Sequence, residues 1–72
     1  MEQYIALFAS ARKVVQADDI CREANISIEV IHTPKKYSNE CGMCLRIPQH
    51  SIAPFERLMQ QHLIKYQLYN YE

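Results

Sequence analysis

The order of short alternating segments and helix-periodic segments constrains the fold of this chain most strongly. Four segments alternate between apolar and polar residues with a period of two and are rich in β-branched or aromatic residues, which is typical of β-strands. Two longer segments repeat their apolar residues every three or four positions, which is typical of amphipathic helices. The predicted strands are residues 3–8, 27–32, 43–47 and 66–71, and the predicted helices are residues 11–24 and 51–63.

The resulting βαββαβ order predicts a ferredoxin-like α+β sandwich. We expect an antiparallel sheet with the strand order 4-1-3-2 and both helices on one face, because right-handed crossovers place strand 3 between strands 1 and 2. The chain has 72 residues, which allows a single domain, residues 1–72, with a thin core. A homodimer is therefore expected.

Residues at the helix ends are also predicted. Ser10 is a good N-cap for the first helix. Ser51 is the expected cap of the second helix, with Pro54 in its first turn. The buried face of the second helix is expected to consist of Ile52, Phe55, Leu58, Met59 and Leu63.

The alternation assigns the strand residues to the two faces of the predicted sheet. The face toward the helices is expected to hold Ile5, Leu7, Ile28, Val30, Met43, Leu45, Ile47, Tyr66 and Leu68. The other face is expected to hold Tyr4, Phe8, Glu29, Ile31, Cys44, Arg46, Tyr69 and Tyr71, and no element remains to cover it. Its aromatic residues are either scattered surface residues or a dimer or partner interface, and we favour the interface because tyrosine is enriched there. That interface would consist of Tyr4, Phe8, Ile31, Tyr69 and Tyr71.

Charge and hydropathy argue against several classes of partner. Eight Lys and Arg residues balance eight Asp and Glu residues, whereas proteins that bind nucleic acid or anionic membranes normally carry a basic surplus. The sequence contains no apolar run of membrane-spanning length, and its acidic start at Glu2 is not typical of a signal peptide. We therefore expect a cytoplasmic protein that binds neither nucleic acid nor membranes. An odd number of cysteines, three, predicts reduced thiols in that compartment.

The connection between the second and third strands carries most of the available chemistry. In the predicted topology it lies at the same end of the sheet as the start of the first helix. A helix N-terminus and basic residues such as Arg12 and Lys35 favour a thiolate, the reactive form of cysteine, at Cys41. Gly42 permits a backbone geometry that exposes Cys41. The same residues are also compatible with a tight loop whose cysteine is incidental.

A longer pattern covers this connection. It is Pro-basic-x-x-Ser-x-x-Cys-Gly-x-x-Leu-Arg, and it extends from Pro34 to Arg46. Together with Phe8-Ala9-Ser10 and residues 26–31, it resembles the small bacterial selenium/sulfur carrier-like proteins, a family whose function is itself a proposal. The resemblance extends from Tyr4 to about Tyr69.

The resemblance implies that Cys41 holds a persulfide or selenide and passes it between a donor and an acceptor protein, with no cofactor. Such a protein is a carrier more than an enzyme. The residues expected to shape the loop and tune the thiolate are Ser10, Arg12, Pro34, Lys35, Ser38, Gly42 and Arg46. Two positions depart from the family pattern. Asn25 stands where a glycine commonly ends the first helix, and Asn also accepts a left-handed backbone. Cys44 replaces a usually apolar residue and creates a Cys-x-x-Cys sequence, which suggests a modulating or resolving thiol beside Cys41.

Three alternatives remain open at this stage. The first is a protein-interaction or regulatory module that uses the aromatic sheet face. The second is a Cys-x-x-Cys oxidoreductase, although thioredoxin-type sites place this motif at the start of a helix and here it precedes a strand. The third is a metal site formed by Cys41, Cys44 and His32, because two cysteines supply half of a tetrahedral zinc site. We favour the carrier over all three and expect no bound metal.

Overall fold

A computed structural model describes residues 2–37 and 42–71 of the chain. Its elements follow the predicted βαββαβ order. They are β1 (Gln3–Leu7), α1 (Ala11–Glu23), β2 (Glu29–His32), β3 (Met43–Pro48), α2 (Gln49–Gln61) and β4 (Gln67–Tyr71).

The four strands form one antiparallel sheet in the order β2-β3-β1-β4. This is the predicted order 4-1-3-2 counted from the opposite edge, so the predicted α+β class and strand order are confirmed. Both helices pack on the same face of the sheet, where they share one apolar core with it. The two edge strands are β2 and β4, and β1 and β3 lie at the centre.

The ends of α1 follow the local signals in the sequence. Ser10 has an extended backbone and its hydroxyl accepts a hydrogen bond from the Lys13 amide at 3.4 Å, which confirms the predicted N-cap. At the other end, Asn25 adopts a left-handed backbone with φ of 60°. The Ile26 amide donates to the Cys21 carbonyl at 2.9 Å, which closes a Schellman motif.

The predicted start of α2 is wrong. The helix begins directly after β3, at Gln49, and Pro48 provides no side-chain cap. The Gln49 amide instead donates to the Glu2 carbonyl at 3.2 Å, so a tertiary contact replaces the expected serine cap. Ser51 therefore lies inside the helix and is buried, and Pro54 lies in the helix interior rather than in its first turn.

Leu63 is not part of the buried face of α2, contrary to the prediction. It follows the last turn of the helix with a left-handed φ of 57° and is 87% exposed. The Ile64 amide donates to the Met59 carbonyl at 2.9 Å, so this helix also ends in a Schellman motif. Here a leucine occupies the position that usually favours glycine.

Replacing Leu63 with glycine is expected to raise the free energy of unfolding by about 1 kcal/mol, because glycine lacks the Cβ that makes a left-handed backbone costly. The exposed leucine side chain contributes little burial that could be lost. Urea denaturation at unchanged m-value measures the effect, with Leu63→Ala as the control that retains the Cβ. Equal stability of the glycine and alanine variants would contradict the explanation.

The main core, called the helix-side core below, lies between the sheet and the two helices. Its buried members are Ala6, Phe8, Val14, Ala17, Cys21, Leu45, Ile47, Phe55, Met59 and Ile64. Partly buried residues, among them Ile28, Met43, Tyr66 and Leu68, pack against it. The helix-facing residues predicted for β3 and for the segment leading into β4 are thereby confirmed.

The face assignment of β1 is wrong. Ala6 and Phe8 point into the helix-side core, whereas Ile5 and Leu7 lie on the opposite face. Tyr4 lies opposite Ile47 of β3 and therefore also shares the helix-facing side. Both alternating sets of β1 contain apolar residues, so periodicity separates the two sets but does not say which one faces inward.

Candidate functional site

The connection between β2 and β3 lies at the same end of the sheet as the start of α1, as predicted. Leu7, the last residue of β1, pairs with Cys44 near the start of β3, and α1 begins four residues after Leu7. The base of the connection is closed by a hydrogen bond from the Thr33 amide to the Gly42 carbonyl at 3.0 Å. The elements thus bring the cysteine-bearing connection and the positive end of the α1 dipole to one edge of the fold.

The structure describes only some of the residues predicted to shape this connection. Gly42 has φ of 71°, which lies in the left-handed region that favours glycine. The Pro34 carbonyl accepts a hydrogen bond from the Tyr37 amide at 2.9 Å, which forms a turn. Lys35 is exposed. Ser38 and Cys41, two of the predicted site residues, lie outside the described residues.

The two predicted arginines occupy different surroundings. Arg12 is exposed in the first turn of α1, at the cysteine-bearing end of the sheet. Arg46 lies on the sheet face away from the helices and forms an ion pair with Glu29, its register partner on β2. The charge of Arg46 is therefore shared with a carboxylate on the neighbouring strand.

Tyr37 covers part of the sheet face that lies away from the helices, for which the sequence predicted no covering helix or strand. Its hydroxyl donates to the Asn70 carbonyl on β4 at 2.7 Å, and its ring centroid lies 5.2 Å from that of Tyr69. Beneath it lies a second apolar group, called the open-face cluster below. Its buried members are Ile5, Leu7 and Cys44, and Ile31, Tyr37 and Tyr71 pack against them.

Sequence analysis missed this contact because Tyr37 and Asn70 are 33 residues apart. The available signal was Tyr37 itself, which is the one aromatic residue in an otherwise polar connection.

Two of the three cysteines lie among the described residues, and both are buried thiols. Cys44 is fully buried in the open-face cluster. Cys21 is fully buried in the helix-side core, as predicted. Burial raises the pKa of the Cys21 thiol to about 11, and the negative charge of Asp18 adds to the effect. Cys21 is therefore protonated and unreactive at neutral pH.

Comparison with known proteins identifies the family. A family model described as "Putative Se/S carrier protein-like" matches residues 3–69, which include the whole pattern around Cys41 and Gly42. The chain belongs to this selenium/sulfur carrier-like family. No curated protein and no solved structure matches the chain.

In this carrier-like protein the predicted aromatic interface is divided between the two sheet faces. Ile31, Tyr69 and Tyr71 lie on the open face, in register with residues of the open-face cluster. Phe8 is buried in the helix-side core, and Tyr4 also lies on the helix-facing side, so neither belongs to the open face. The aromatic character of the open face is retained because Tyr37 joins it from the connection.

In the described part of the carrier-like protein, two of the residues considered for a metal site lie on different faces of the sheet. His32 lies opposite Met43, on the helix-facing side of the sheet, whereas Cys44 lies on the open face. Within residues 2–37 and 42–71, no three His, Cys, Asp or Glu side chains come together as metal ligands would. In the same residues, no helix has the length and apolar character needed to cross a membrane.

Proposed function

We propose that the protein is a sulfur or selenium carrier that holds a persulfide or selenide on Cys41 and transfers it to a partner protein. The observation that carries the proposal is the match to the carrier-like family over residues 3–69. In that family the cysteine before the glycine is the proposed carrier residue, and here this residue is Cys41, followed by Gly42.

The chemistry of a carrier requires an accessible thiolate and no general acid–base pair. The N-terminus of α1 lies at the end of the sheet that bears the cysteine connection, and its first turn contains no acidic residue. Arg12 and Lys35 add exposed positive charge at that end. Both effects favour the thiolate. Glu40, next to Cys41 in sequence, contributes a negative charge that acts in the opposite direction.

The partners that we propose are proteins. A donor loads Cys41 and an acceptor unloads it, and Cys44 serves as the second thiol of the Cys-x-x-Cys sequence. We propose a homodimer that uses the open face, where Tyr69 is 39% exposed and Ile31 and Tyr71 are partly buried. The odd number of cysteines, three, is compatible with a reducing compartment such as the cytoplasm, which we propose as the location of the protein.

The pH dependence of alkylation at each cysteine, followed by mass spectrometry on reduced and metal-free protein, tests the proposal. We expect Cys41 to alkylate with an apparent pKa below the roughly 8.5 of a free thiol. Cys21 is expected to resist alkylation at neutral pH, because its pKa is raised to about 11 and it is fully buried.

Matched variants show whether the positive charge at the start of α1 lowers the apparent pKa of Cys41. Arg12→Gln is expected to raise the apparent pKa of Cys41, since it removes a positive charge from the first turn of α1. Arg57→Gln removes the same charge from an exposed position on α2 and is expected to leave that pKa unchanged. An unactivated Cys41, with a pKa at or above that of a free thiol, would favour an interaction module that uses the open face.

A further inference from the structure

Basic and acidic residues balance in number, but they are separated along the length of the sheet. One end of the sheet, called the basic end below, has five exposed basic residues on three separate segments. They are Arg12 and Lys13 in the first turn of α1, Lys35 and Lys36 in the β2–β3 connection, and Lys65 in the segment before β4. These segments meet at one end because Leu7, the last residue of β1, pairs with Cys44 near the start of β3 and with Gln67 at the start of β4.

Most acidic residues of the described chain lie toward the opposite end. They are Glu2 before β1, Asp18, Asp19 and Glu23 in the second half of α1, and Glu29 at the start of β2. Two arginines lie among them, and each is paired locally, Arg22 with Asp18 and Arg46 with Glu29.

The charges of the basic end, in contrast, face solvent. Within residues 2–37 and 42–71, none of its five basic side chains forms an ion pair. Glu56 on α2 is the acidic residue that contacts this end, where it accepts a hydrogen bond from the Tyr66 hydroxyl at 3.2 Å. Glu40 of the connection lies outside the described residues. A chain with no net charge therefore has a positive end and a negative end.

An exposed leucine lies in the same segment as Lys65. Leu63 is 87% exposed and has a left-handed backbone, which is costly for a residue with a Cβ. The segment is fixed on both sides of this position. Ile64 is buried in the helix-side core, and the Tyr66 ring centroid lies 5.1 Å from that of Phe55 and 6.2 Å from that of Phe8. Leu63 is thus held outside the core on an anchored backbone, where its apolar side chain contributes little to folding.

We propose that the basic end is a docking surface for an acidic surface on a partner protein, with Leu63 as its apolar anchor. This inference rests on the proposed function for the role of that partner as donor or acceptor. Four strands at a spacing of roughly 4.8 Å make the sheet about 15 Å wide, so one protein surface can contact all three basic segments. Unpaired positive charges on one end select an acidic partner and increase its rate of association.

Two other occupants fit the structure less well. A long polyanion such as RNA would also meet the negative charges toward the other end, and it would leave an apolar anchor such as Leu63 without a pocket. A second copy of the chain would bind its negative end to the basic end of the first copy. Such a head-to-tail contact produces an open filament and not a closed dimer.

Amide chemical shifts of the nitrogen-15-labelled, reduced and cargo-free full chain locate the docking surface. The probe is a short synthetic peptide in which glutamate and leucine alternate, and the reference peptide has serine in place of each leucine. We expect shifts in the first turn of α1, in residues 33–37 and in residues 62–66. We expect tighter binding of the leucine peptide than of the serine peptide, and weaker binding of both at high salt.

Single substitutions separate the local charge from the net charge. Lys13→Gln and Lys65→Gln are each expected to weaken binding of the leucine peptide by roughly 2- to 5-fold. Arg22→Gln removes the same charge near the negative end and is expected to leave binding unchanged. Leu63→Ala is expected to bind the leucine and serine peptides equally, because the anchor is lost while the charges remain.

Four results would overturn the docking surface. They are no shifts at the basic end, an equal effect of Arg22→Gln and Lys65→Gln, tighter binding of a uridine oligonucleotide than of the leucine peptide, and concentration-dependent shifts at both ends without any probe. The last result would identify a second copy as the occupant. Cys41 takes no part in the measurement. Peptide binding by a protein that cannot load sulfur would contradict the proposed function alone, and loading without peptide binding at the basic end would contradict this inference alone.

Discussion

Replacing Cys41 with serine is expected to abolish bound sulfur or selenium and to leave the fold intact. A serine hydroxyl cannot form a persulfide, so the loss of cargo should be complete. The helix-side core, as far as the described residues form it, contains no residue from the β2–β3 connection. Mass spectrometry detects the cargo as the added mass of the carried atom, and circular dichroism follows the fold.

Two comparisons define what this result means. Cys44→Ala is expected to load normally, because Cys44 is fully buried and the carrier role belongs to Cys41. If Cys41→Ser unfolds, Cys41 has a structural role and the carrier proposal is wrong. If it folds and still carries sulfur, another cysteine holds the cargo.

The fold was largely predictable because the periodicity of apolar residues and the capping residues at helix ends are local features of the sequence. Ser10 and Asn25 fulfil the backbone roles that their side chains favour at helix ends. The strand order follows from the βαββαβ sequence and the handedness of the crossovers. The face of β1 was not predictable in this way. Ala6 lies inward because it pairs with Leu45 and Leu68, and this pairing depends on the tertiary register.

The remaining errors have the same origin in contacts between distant segments. Sequence signals favoured a helix start at Ser51, but the Glu2 carbonyl satisfies the Gln49 amide and the helix begins earlier. Tyr37 lies in the predicted connection, but its contact with Asn70 on β4 was not predicted. Local patterns predict which backbone groups need a partner and do not show when a distant segment provides it.

The candidate site was predictable to a similar extent. The left-handed backbone of Gly42 and the proximity of the connection to α1 both follow from the sequence and topology. Arg46 pairs with Glu29, an exposed strand residue on the same face, and its expected role in tuning the loop stays a prediction. Ser38 and Cys41 lie outside the described residues, so their roles stay predictions.

Replacing Leu45 with alanine is expected to lower the free energy of unfolding by about 2–5 kcal/mol. Leu45 is fully buried at the centre of β3, where Ala6 on β1 and Val30 on β2 flank it in register. Because one flanking residue is already an alanine, little side-chain volume is available nearby to fill the cavity. A domain of this length is stable by only about 4–11 kcal/mol, so the loss would be a large fraction of the total.

Leu63→Ala is the matched control, since it makes the same chemical change at a position that is 87% exposed. It is expected to change the free energy of unfolding by less than about 0.5 kcal/mol. Urea denaturation of both variants measures the difference, and equal m-values show that the unfolded states are comparable. A near-neutral effect at Leu45 would mean that β3 turns its other face toward the helices. Cys44 would then lie in the helix-side core, so this stability measurement also tests the assignment of Cys44 to the open-face cluster.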